Sequence, residues 1–85
     1  MSDLVLHLVT PFVQHPDELS ITPVDSPDVL VLELRAHPDD VSRIDGDRGR
    51  TLRSIRAVVS AAAGERKTTV ELIGADGQTV GPHAD

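Results

Sequence analysis

Ile44-Asp45-Gly46-Asp47-Arg48-Gly49-Arg50-Thr51-Leu52-Arg53-Ser54-Ile55-Arg56 is the stretch whose reading decides the fold. Two glycines sit three apart, and apolar residues then return at helical spacing: Leu52, Ile55, Val59 and Ala62. Glycine lets a backbone turn sharply and approach a ligand closely. The first N–H groups of a helix have no partner inside it, and the helix dipole makes that end partly positive. A Gly-x-x-Gly loop that opens a helix is therefore a physically sensible phosphate site. The pattern is short and arises often by chance, so its surroundings carry the weight.

Charge is the first of those surroundings. From Arg43 to Arg56, five arginines stand against Asp45 and Asp47, giving +3, so the rest of the chain carries −9 of the overall −6. One basic island on an acidic domain points to a localised anion site; the plainer reading is an arginine-rich, solvated helix face. The overall acidity argues against avid, non-specific duplex binding, which needs many phosphate-neutralising cations. Phe12 is the only aromatic residue, which removes base stacking on surface aromatics as a device.

At 85 residues the chain makes one small domain with a limited core. Without cysteine it has neither a disulfide framework nor a thiolate metal site. No apolar run has membrane-spanning length, and no signal peptide is read at the N-terminus; a reducing cytoplasm is the expected location.

Upstream, Ser2 or Asp3 is expected to cap a first helix. Leu4, Val5, Leu8, Val9, Phe12 and Val13 would form its apolar face. Pro11 removes a helix hydrogen bond and crowds the His7 carbonyl, predicting a kink or a helix in two pieces. Leu19 to Val24 reads as a strand, and Pro23 places it at a sheet edge. After the turn residues Asp25-Ser26-Pro27-Asp28, Val29 to Ala36 reads as a second strand, with Leu30, Leu32, Leu34 and Ala36 on one face. Pro38, Asp39 and Asp40 favour a helix start, and that helix runs to Ile44. Past the loop, a helix from Gly49 to Ala63 stops at Gly64, and Thr68 to Ile73 forms a third strand. Residues 1–73 are the domain. Residues 74–85 are polar and glycine-rich, and a flexible C-terminal tail is expected there.

The predicted class is α+β: three helices on one face of a three-stranded mixed sheet. The second and third strands are joined by a helical crossover and so are free to run parallel.

That order, α-β-β-α-α-β with the loop between the last two helices, resembles a KH domain of the bacterial, type II arrangement. Val13-Gln14-His15-Pro16-Asp17-Glu18-Leu19, Val31 to Asp40 and Gly49 to Ala63 look like the corresponding parts of the small single-KH KhpA (YlqC-like) RNA-binding family. The resemblance covers about residues 3 to 73. It implies single-stranded RNA binding, with about four nucleotides clamped and backbone contacts at the loop. Carried over by position, Gly46, Asp47, Arg48 and Gly49 form the loop. Arg50 and Arg53 flank it, and Ile44, with Leu52 and Ile55, forms an apolar floor. The family further implies an RNA chaperone or post-transcriptional regulator, a homodimer, or pairing with a larger KH protein.

Two residues depart from the family pattern. An apolar residue usually precedes the first glycine and a cation follows it; here Asp45 and Asp47 occupy those places. Each puts negative charge near a phosphate path, and Asp47 is placed to cap the following helix. The alternative function is therefore a protein-interaction subunit on a KH scaffold, since a scaffold alone does not set function.

Ala36-His37-Pro38-Asp39-Asp40 looks like the zinc motif of certain deacetylases. Val41 stands where the next acid would be, no other histidine lies at ligand spacing, and the chain is too short for that fold. The two acids read instead as partners of the helix dipole. Ser54, Ser60 and the threonines are read as having no histidine nearby in sequence to activate them. No enzyme activity, cofactor or metal is expected.

Overall fold

A computed structural model describes residues 1–74 and 76–80. Helix α1 spans Ser2–Val9, strand β1 Ser20–Asp25, strand β2 Leu30–Arg35, helix α2 Pro38–Asp45, helix α3 Arg50–Ala63 and strand β3 Thr68–Ile73. The element order and the α+β class are those expected of a type II KH domain.

The sheet order is β1-β2-β3, with β1 antiparallel and β3 parallel to β2. Pro23 pairs with Leu32 on the edge strand, the position that a residue without an N–H donor favours. The register sets Leu32 beside Val70 and Leu34 beside Leu72, and all four are buried. Val5 and Val9 of α1, Ile44 of α2, and Leu52, Ile55 and Val59 of α3 close over them in one cluster. A core built almost wholly from aliphatic side chains leaves little slack, because each methylene contributes about 0.8 kcal/mol on burial.

Several local expectations are corrected. Neither Ser2 nor Asp3 caps α1; Met1 occupies that position and its carbonyl accepts from the Val5 N–H at 3.1 Å. Pro11 divides the first helix as its chemistry requires: α1 stops at Val9, and a 3-10 turn spans Thr10–Phe12. A second such turn, Pro16–Glu18, leads into β1. Phe12, expected in the core, is 44% exposed because that turn swings it off the helical stripe. Ala62 is exposed too, while Val59 ends the fully buried stripe of α3.

The described part of the C-terminal segment does not extend away from the domain. The Val80 N–H donates to the Leu72 carbonyl at 2.7 Å, and Val80 packs against the core. Residues 81–85 of the expected tail lie outside the described residues.

Asp40 is a buried acid with a clear architectural task. Its side chain is fully inaccessible, and its two carboxylate oxygens accept from the backbone N–H groups of Gln14 (3.0 Å) and His15 (2.9 Å). Arg43 adds a contact to the same carboxylate at 3.2 Å. The carboxylate thus holds the α1–β1 linker against the start of α2. Burial pushes its pKa up, but the two backbone hydrogen bonds, with His15 and Arg43 nearby, outweigh that and hold it below the ordinary carboxylate value.

Candidate nucleic-acid interface

The loop forms because α2 must end and α3 begin within four residues. The Gly46 N–H closes α2 on the Ser42 carbonyl at 2.8 Å. Gly46 then takes φ 77°, ψ −172°, a region open essentially to glycine alone. Arg48 (φ 53°, ψ 32°) and Gly49 (φ 76°, ψ 12°) are left-handed, and Arg50 enters α3. A Cβ on Gly46 would lie 2.2 Å from Thr51 Oγ1 and 2.6 Å from Thr51 Cβ, so the first glycine is also needed for the close approach of loop and helix.

The N-cap of α3 is Gly49, which has no side chain with which to cap the helix. The positive end of its dipole therefore faces the loop. This corrects the capping role expected of Asp47. The Asp47 side chain is 78% exposed, and its carboxylate lies 3.9 Å from Arg50 Nη1, a loose surface pair. Asp45 behaves differently from its neighbour: it is buried, 7% exposed, at the end of α2.

The basic island is also smaller than its sequence count. Arg43 donates to the Asp39 carbonyl at 2.8 Å and to Asp40, so it serves the start of α2. Arg56 donates through Nε to the Val70 carbonyl at 2.7 Å and lies 4.0 Å from Glu71, tying α3 to β3. Arg48, Arg50 and Arg53 remain exposed around the loop, with Asp47 the exposed acid among them. Arg53 Nη2 reaches back to the Arg48 carbonyl at 3.3 Å.

The expected apolar floor is not open. Ile44 is 0% exposed, Leu52 3% and Ile55 4%, so all three are core residues. The apolar surface near α3 lies elsewhere. Leu8 and Phe12 meet Thr51, Ser54, Ile55 and Val58 in a shallow depression between the first helical segment and α3. Thr51, Ser54, Ile55 and Val58 share one helix face by their spacing.

Two features were not legible in sequence. Asp40 is buried, although its place four residues before Ile44 put it on the inward face of α2. His15 stacks on His37, with ring centroids 3.8 Å apart at 18° between planes. The 21 residues between them hid that pairing.

A helix-loop-helix with paired glycines, set against a mixed sheet in this order, defines a KH domain. Comparison with known proteins agrees: the family model described as KhpA/KhpB, KH domain, matches residues 2–73. A protein of Halalkalibacterium halodurans named RNA-binding protein KhpA is 40% identical over 72 residues, covering 85% of this chain and 95% of the relative. Proteins of the same name from Streptomyces coelicolor (37% over 76 residues; 89% and 95%) and Bacillus subtilis (34% over 71 residues; 84% and 88%) are similar along the same span. No solved structure matches significantly. The chain belongs to the KhpA/KhpB KH-domain family, a family of RNA-binding proteins. Among its described residues, no helix is long and apolar enough to cross a membrane.

Proposed function

We propose that the chain binds single-stranded RNA through the backbone, at Gly46, Asp47, Arg48 and Gly49 and the first turns of α3. The observation that carries this reading is the α3 N-terminus, whose N-cap is Gly49, behind a loop opened by the positive φ of Gly46, Arg48 and Gly49. Arg48, Arg50 and Arg53 supply the positive charge, and no catalytic step is involved. Ile44 acts from beneath, as core support for the loop rather than as a contact surface. The setting is the cytoplasm, and the role is that of an RNA chaperone or post-transcriptional regulator.

The depression beside Phe12 and Val58, which are 44% and 45% exposed, favours action with a second KH chain, either a copy of this one or a larger relative. It also favours the second reading, a protein-interaction subunit with little RNA affinity.

Fluorescence anisotropy with a short unstructured RNA separates the two. With three exposed arginines, the logarithmic salt slope should be near 2, at about 0.7 per phosphate on a single strand, and Kd on the order of micromolar or weaker. Asp47→Lys reverses one charge on the phosphate path and should tighten binding by about 1 kcal/mol, roughly fivefold, at low salt. Because Asp47 caps nothing, its replacement should leave Tm within about 2 °C of the parent. Unchanged affinity in Asp47→Lys would remove the loop as the phosphate site and put the interaction-subunit reading first.

A further inference from the structure

At the other end of α2 from the loop, His15, His37 and Asp39 come together with one ligating atom from each within 4.8 Å of the others. We propose that these three residues form a site for a zinc-class divalent cation, with Glu18 orienting the His37 ring. His15 Nε2 lies 3.9 Å from Asp39 Oδ2, and His37 Nδ1 lies 3.7 Å from the same oxygen. Tetrahedral bonds of about 2.0–2.1 Å place ligands roughly 3.3–3.4 Å apart, so each histidine-to-Asp39 distance must shorten by a few tenths of an ångström, and the stacked His15 and His37 rings must turn apart so that both lone pairs meet one ion. Three protein ligands leave a fourth position for water.

The protonation pattern suits a metal. The Asp39 N–H donates to His37 Nδ1 at 3.0 Å, so that nitrogen carries a lone pair and its proton sits on Nε2. His37 Nε2 lies 3.7 Å from Glu18 Oε2. A histidine whose second nitrogen faces a carboxylate is the usual supporting arrangement around a bound metal. The cation would displace the Asp39 N–H from Nδ1, which keeps affinity modest. Two imidazoles and one carboxylate select zinc, nickel or copper over magnesium or calcium. Side-chain exposures of 38%, 27% and 71% for His15, His37 and Asp39 give the ion a path from solvent.

Occupancy would tie the linker before β1, through His15, to the junction of β2 and α2, through His37 and Asp39. It leaves the RNA loop uncovered, because eight residues of α2 separate the two ends by about 12 Å.

The test uses the full, untagged chain and zinc alone, at neutral pH, by calorimetry and by histidine-detected NMR. Expected is one ion per chain with Kd on the order of 10 µM, and no heat with magnesium at about 1 mM. His15→Gln and His37→Ser should each weaken zinc binding roughly tenfold or more, the serine retaining an oxygen that can cap α2. In the parent chain the imidazole signals of His15 and His37 should shift while those of His7 stay, a readout that holds even if a variant fails to fold. Zinc at ten times Kd should raise Tm by about 5–10 °C. No heat and no shift at about 1 mM zinc, binding undiminished in both variants, or shifts centred on His7 would overturn the site.

Discussion

Gly46→Ala is expected to destabilise the domain by about 3 kcal/mol or more, lowering Tm by roughly 12–24 °C in a chain of this size. Two effects add. The dihedral angles of Gly46 are costly for any residue with a Cβ, and that Cβ would overlap Thr51 Oγ1 and Cβ and press on the Thr51 N–H at 3.0 Å. Thr51 sits in the first turn of α3, so relief by movement would displace the helix start that is proposed to face phosphate. Gly64→Ala isolates the first effect. Gly64 also has positive φ, 66°, but a Cβ there would meet no atom of the described residues within 4 Å. Chemical unfolding of both variants should show the smaller loss, about 1–2 kcal/mol, at Gly64. Equal losses would mean that the close approach of loop and helix is not as described.

The second large effect is expected at Asp40. Asp40→Ala leaves the Gln14 and His15 N–H groups without their buried acceptor, and Arg43 without its partner carboxylate. Tm should fall by more than about 10 °C, with early exposure of the α1–β1 linker to proteolysis. Because the folded pKa of Asp40 lies below its unfolded value, its contribution is present above about pH 4 and is lost as pH falls through the lower, folded value. Asp40→Asn keeps the shape but turns one acceptor into a donor facing an N–H. It should be less stable at neutral pH, and its stability should fall less steeply than the parent's below about pH 4. A Tm within about 3 °C of the parent for both variants would contradict the tie.

The elements that could be read from the chain are those whose local chemistry agrees with their tertiary place. Leu32 and Leu34 flank Glu33 and face the core; Pro23 could only sit on an edge; Gly64 stops α3 and Pro11 stops α1. The loop was legible for the same reason, because Gly46 and Gly49 mark backbone conformations that other residues avoid. What could not be read depends on contacts between distant residues. Asp39 and Asp40 look alike as first-turn acids, yet one is exposed and the other is buried against a linker some 25 residues earlier. Asp45 and Asp47 flank one glycine, yet the turn at Gly46 leaves Asp45 inside and Asp47 outside. The arginine count overstated the charge around the loop because Arg43 and Arg56 are held by partners on α2 and β3. Ile44 was placed on a groove floor by position, whereas packing against the sheet buries it entirely.

The most direct test of backbone-directed RNA binding at the loop is an amide-resolved NMR titration of the full chain with a short unstructured RNA at low salt. The expected result is a contiguous set of shifted amides from Asp47 to Arg53, fading as salt is raised. Shifts confined to Phe12, Val58 and their neighbours, with the loop amides unmoved, would contradict it.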